Sequence, residues 1–124
     1  MICIFCKKLH EQDAVVYQNN SVFVIFDSFP VTKGHCLIIP KRHVSDYFSL
    51  EKSELEDIDL ALKVMKTRID NDFKPDGYNI GINNGIAAGQ TVMHLHVHLI
   101  PRYSGDCNNP KGGVRGVIPD KRIY

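Results

Sequence analysis

The segment from Glu51 to Asp70 constrains this chain more than any other. Leu55, Ile58, Leu62, Met65 and Ile69 recur at intervals of 3, 4, 3 and 4, which puts them on one face of an amphipathic helix whose other face is charged. Lys74-Pro75-Asp76-Gly77 stops it. Short β-rich runs flank this helix. Val15–Tyr17 and Ser21–Asp27 are separated by the hairpin-like Gln18-Asn19-Asn20, and His35–Ile39 ends at Pro40. After the helix come Tyr78–Ile82 and Val92–Ile100, the latter closed by Pro101. Strands joined by short turns around one long helix predict an α+β domain on an antiparallel five-stranded sheet. The helical stripe either covers that sheet or pairs with a second copy.

The 124 residues fit a single domain. Beyond Tyr103 the composition shifts to Gly, Asn, Pro, Lys and Arg, so the reading is a domain over residues 1–103 with an irregular tail over 104–124. Fifteen basic residues against fourteen acidic ones leave a formal charge of +1, too little to bind nucleic acid through its phosphates. The longest apolar run, Val22–Phe26, is far short of the ~20 residues of a membrane span. The first residues lack the basic-then-apolar order of a secretory signal. The expectation is a cytoplasmic protein without a membrane or nucleic-acid partner.

The chemistry is concentrated in His94-Leu95-His96-Val97-His98, which holds half of the six histidines. On a strand, alternation sends these three imidazoles to one face, roughly 6.5–7 Å apart. His-x-His pairs of this kind chelate a catalytic metal in zinc hydrolases. Alternatively, one imidazole is a nucleophile and its neighbours orient it and hold the leaving group. The preceding loop favours the second reading. Asn83 to Thr91 offers glycines, amides and a hydroxyl suited to a phosphate, and the nearest acidic residues are Asp76 and Asp106.

Gln90-Thr91-Val92-Met93-His94-Leu95-His96-Val97-His98-Leu99-Ile100-Pro101 resembles the signature of the histidine triad (HIT) superfamily, in which histidines alternate with apolar residues. Phe26-Asp27, Gly34-His35, Ile39-Pro40-Lys41-Arg42-His43, Asn83 and Gly89-Gln90 extend the resemblance over roughly residues 1–103. It implies an α+β fold whose sheet is extended by homodimerisation. It also implies attack on the α-phosphorus of a nucleotide by the middle histidine, here His96, to give a covalent nucleotidyl-histidine that water hydrolyses to the monophosphate. By position, His98 bonds the phosphate or leaving group and His35 supports the triad. Asn83, Gly89, Gln90 and Thr91 hold phosphate, Asp27 accepts from the ribose hydroxyls, and Ile4, Phe5 and Ile25 flank the base. The implied substrates are purine nucleoside phosphoramidates, adenylates or dinucleoside polyphosphates, with a Hint-like pattern and no requirement for Mg²⁺. The alternative is a nucleotide-binding adaptor or sensor with vestigial hydrolysis.

Four cysteines occur. Cys3 and Cys6 have the C-x₂-C spacing of a zinc knuckle but lack local partners, which leaves a metal site, a reduced metal-free pair or, without a βαβ context, a poorly supported redox motif. The resemblance extends to a largely bacterial subset with structural zinc, whose ligand positions match Cys3, Cys6, His43 and His94. Cys36, in an apolar run, reads as a small buried hydrophobe. In the tail, Lys111, Arg115, Lys121 and Arg122 face only Asp120. The tail is either solvated or brings Arg115 to a leaving group.

Overall fold

The computed structural model describes residues 3–124; the first two positions of the expected domain lie outside the described residues. Its strands are β1 (Val15–Gln18), β2 (Val22–Phe26), β3 (Cys36–Pro40), β4 (Gly77–Ile82) and β5 (Val97–Arg102), and its helices are α1 (Ile4–Lys8) and α2 (Lys52–Phe73). The strands form one sheet in the order β1-β2-β3-β5-β4, antiparallel throughout. Helix α2 lies across one face, where Ile58, Ala61, Met65 and Ile69 pack on Val22, Val24, Cys36, Ile38, Val97 and Leu99. On the other face α1 drops Phe5 onto Phe23, Ile25, Leu37 and Ile39. Both faces of β2 and β3 are therefore covered, which is why these strands are continuous apolar runs and not alternating ones.

The inward line of α2 differs from the expected stripe. Leu55 is turned outward and Leu62 is half-buried, while Glu54 and Ala61 take the inward positions. Glu54 can do so because its carboxylate is fully engaged. It accepts from the backbone N–H of Glu51 at 2.9 Å and from Arg42 at 2.7 and 3.2 Å. Ala61, with no side chain beyond Cβ, is fully buried against the sheet. Ile58, Met65 and Ile69 are spent inside the chain and are not free for a second copy.

The last strand also differs. Residues 92–94 form a bend, 95 and 96 are irregular, and β5 starts at Val97 and runs through Pro101 to Arg102. Pro101 stays within the strand because its pairing with β3 ends at Leu99, while pairing with β4 continues. Its carbonyl accepts from Thr32, away from β4, so the missing N–H breaks no bond to β4. Helix α1 was not expected. Five residues carry no periodic signal, and nothing but tertiary contact holds a helix that short. The tail is ordered into two 3₁₀ turns, Gly113–Val117 and Pro119–Lys121. A side chain at Gly112 would collide with the Arg122 carbonyl, which lies 1.9 Å from where its Cβ would sit.

Candidate functional site

Val97 and Leu99 point into the α2 core, so alternation sends His96 and His98 to the opposite face. His94 does not continue this row. It sits in the bend before β5, fully buried, with its ring among Cys3, Cys6 and His43. The expected row of three imidazoles is thus a pair plus one, because the strand begins only at Val97. The His96 and His98 rings approach to 5.1 Å between centroids.

The hydrogen bonds assign each proton. His96 Nδ1 lies 2.9 Å from the backbone carbonyl of His94, which can only accept, so the proton is on Nδ1 and the Nε2 lone pair is free. His35 Nδ1 accepts from the backbone N–H of Val31 at 3.0 Å, which places the His35 proton on Nε2. That Nε2–H faces His98 Nδ1 at 3.0 Å and donates to it, leaving the His98 proton on Nε2. The result is a one-way chain ending in a free donor beside a free lone pair. Burial, then the neighbouring His96 and His35, lowers the His98 pKa to about 4, with Asp27 opposing. Burial lowers His35 as well, again against Asp27. Both rings are neutral at neutral pH, as the chain requires. Asp27 Oδ1 accepts from Phe29 N–H at 2.8 Å, and Oδ2 lies 3.5 Å from His35 Nε2.

These groups line a cleft of about 490 Å³ with an apolar wall of Ile4, Phe5, Ile25 and Val92 and a polar side of Asp27, Asn83, Thr91, His35, His96 and His98, with Gly89 at its edge. Lys8, which no motif marked, also lines it. A second hollow of about 440 Å³ shares His35, His98 and Asn83 and is lined also by Ile80, Val114 and Val117. Gln90 is the exception among the expected substrate-binding residues. It is 5% exposed, its oxygen accepts from Gly85 N–H, and its nitrogen donates to the carbonyls of Ser45 and Val92. With no polar atom to spare, it braces the loop from within. Arg115 is likewise occupied, over the Tyr124 ring at 4.8 Å.

The second cluster joins residues from three distant segments. The donor atoms of Cys3, Cys6, His43 and His94 all lie within 4.8 Å of one another. The His94 Nδ1 nitrogen is 3.4 Å from Cys3 Sγ and 3.6 Å from Cys6 Sγ, and His43 Nδ1 is 3.4 Å from Cys6 Sγ. Zn–S bonds of about 2.3 Å and Zn–N bonds of about 2.0–2.1 Å at tetrahedral angles place S and N about 3.6 Å apart, and these separations match the edges of such a site. His94 Nε2–H donates to the Pro40 carbonyl at 2.7 Å, which turns the Nδ1 lone pair towards the sulfurs as a ligand histidine requires. Burial and the adjacent Cys3 raise the Cys6 thiol pKa. Asp27, His35 and His98 also bring donors together within 4.8 Å. They do not fit a metal, because the Val31 N–H fixes the proton of His35 on the nitrogen that would have to ligate.

Sequence reasoning did not find the Val31 N–H or the Arg42–Glu54 pair. The first is a backbone group, and the second joins a loop to a helix terminus 12 residues away. Neither leaves a side-chain pattern along the chain.

Comparison with known proteins agrees with this geometry. Residues 8–105 match the family model described as HIT domain. A HIT family protein from Bacillus anthracis is 42% identical, with a TM-score of 0.77, covering 84% of this chain and 75% of that one. A Zn-bound histidine triad family protein from Mycobacterium smegmatis is 34% identical, with a TM-score of 0.74 over 84% of this chain and 77% of that one. The AP-4-A phosphorylase of Mycobacterium tuberculosis is 37% identical over 79% of this chain, which spans 51% of that protein. With its fold, its paired histidines and most of its length matched, the chain belongs to the HIT family.

Proposed function

We propose that this protein is a nucleotide hydrolase or transferase cleaving at the α-phosphorus of purine nucleoside phosphoramidates, adenylates or dinucleoside polyphosphates. The observation that carries the reading is the free Nε2 lone pair of His96, fixed beside the free Nε2–H of His98. The purine lies against Ile4, Phe5 and Ile25, the ribose hydroxyls reach Asp27, and Asn83, Thr91 and the Gly89 backbone meet the phosphate. His96 Nε2 attacks phosphorus as the bond from phosphorus to the leaving nitrogen or oxygen breaks. His98 Nε2–H donates a hydrogen bond to the departing atom, which takes its proton from water. The positive charge arising on the His96 ring is offset by the His94 carbonyl bound at Nδ1. Water then attacks phosphorus, releasing the nucleoside monophosphate and restoring His96. Positioning and charge stabilisation supply the rate, and His35 acts by holding His98 in the donating tautomer.

Cys3, Cys6, His43 and His94 would hold one structural zinc, which contributes coordination bonds that tie the N-terminus to the segment carrying His96. The outer edge of β4 is unpaired among the described residues and would carry the contact that makes a homodimer. Residues 104–124 are read as the tail of the same domain. No helix among the described residues is long and apolar enough to cross a membrane, and a cytoplasmic setting would keep the cysteines reduced.

Incubation with an adenosine phosphoramidate tests the reading. The wild type releases AMP and His96→Ala binds without turnover, with kcat down by several orders of magnitude. A His96→Ala variant keeping more than about a tenth of wild-type kcat excludes the covalent mechanism. Wild-type binding without any release of AMP makes the protein a sensor.

A further inference from the structure

Phe5 stands between the two cysteines of the metal cluster, yet it is also part of the cleft. It is 6% exposed, and its ring meets His94 edge-on at 6.0 Å and His96 at 4.9 Å. Both lie within the range of favourable aromatic contacts. With Ile4 it forms the apolar wall facing His96. The His96 ring thus has three constraints: the His94 carbonyl, the His98 ring and the Phe5 ring. Two of them, Phe5 and the His94 carbonyl, belong to residues anchored at the cluster.

Helix α1, which carries Phe5, has five residues and no side-chain cap on its first turn. A helix that short does not persist in water by itself. Its position depends on the burial of Phe5 and on the two thiols that flank it. Coordinate bonds at Cys3 and Cys6 hold it far more firmly than thiol–imidazole contacts of 3.4 and 3.6 Å.

We infer that Phe5 is a positioning residue through which occupancy of the Cys3, Cys6, His43 and His94 cluster sets both nucleotide affinity and the orientation of the His96 ring; this rests on the zinc and nucleotide readings above. With the cluster filled, α1 is clamped, the apolar wall is complete and His96 keeps its Nδ1–H on the His94 carbonyl. With it empty, α1 loosens, the wall opens and the His96 ring samples both tautomers.

The test measures AMP affinity by calorimetry, zinc content by elemental analysis and the His96 tautomer by ¹⁵N NMR. Each is applied to zinc-loaded and chelator-stripped wild type and Phe5→Ala. Stripping the wild type should weaken AMP binding by about tenfold, close to 1.4 kcal/mol, and mix the His96 tautomers. Loaded Phe5→Ala should keep its zinc, show the same loss and respond little to stripping. Phe5→Leu, which keeps an apolar side chain without the ring, should retain its fold but not the single tautomer. A stripped, still folded wild type that binds AMP within twofold and keeps one tautomer overturns the inference. So does a Phe5→Ala protein that responds to stripping as fully as the wild type. If the stripped protein unfolds, the loaded variants decide, and an unchanged tautomer in Phe5→Ala refutes the role of the ring. Wild type without zinc removes the metal reading and the inference together; loaded wild type that ignores AMP removes the nucleotide reading with it.

Discussion

Lowering the pH should destabilise this protein through His98, by an amount the site geometry sets. In the folded chain His98 titrates at about 4, against about 6.5 when exposed. Its Nδ1 is occupied by the His35 N–H, so a proton added there would set donor against donor. The folded pKa is depressed, so between these two values the unfolded chain binds a proton that the folded chain refuses. Stability is then fully present above pH 6.5 and falls as pH drops through the window. At about 1.4 kcal/mol per unit below the unfolded value, moving from pH 7 to 5 costs about 2 kcal/mol from this group. Urea unfolding at pH 7 and pH 5, with matched m-values, measures the fall. His98→Asn keeps an amide able to face His35 but does not titrate. The wild type should therefore lose about 2 kcal/mol more than this variant over the same interval. Comparing the two removes contributions from His35 and from the cluster of Cys3, Cys6, His43 and His94, which both proteins share. Equal losses in wild type and His98→Asn would refute the tautomer chain.

Other outcomes follow from groups placed only by the fold. Glu54→Ala leaves the Glu51 N–H without its acceptor and Arg42 with only the Ser49 carbonyl and should cost about 1–3 kcal/mol in denaturant unfolding. Because Arg42 adjoins His43, the same variant should also hold zinc less tightly. Gln90→Ala strips three partners from the loop; with its amide engaged there, its loss should raise KM severalfold and lower stability by about 1–3 kcal/mol. Arg115→Ala should leave the KM for a dinucleoside polyphosphate within about twofold, since its guanidinium rests on Tyr124. A tenfold rise would show instead that Arg115 reaches the leaving group.

Spacing of 3 and 4 was enough to mark the long helix, and β-rich runs bounded by turn residues marked the strands. Alternation marked His96 and His98, since on a strand it dictates which side chains share a face. Where the strand stops is a different matter. β5 begins at Val97 because only from there do β3 and β4 both offer partners. That boundary turned His94 away from the histidine pair and towards Cys3, Cys6 and His43. Within α2, the choice of Glu54 over Leu55 depended on Arg42 being within reach to neutralise a buried carboxylate. Gln90 became a brace because Ser45 and Gly85 surround it. The sequence determined which residues could do chemistry, as residue type and spacing are properties of the chain. Only the tertiary structure decided which nitrogen of each imidazole carries the proton, because that depends on a partner up to 63 residues away.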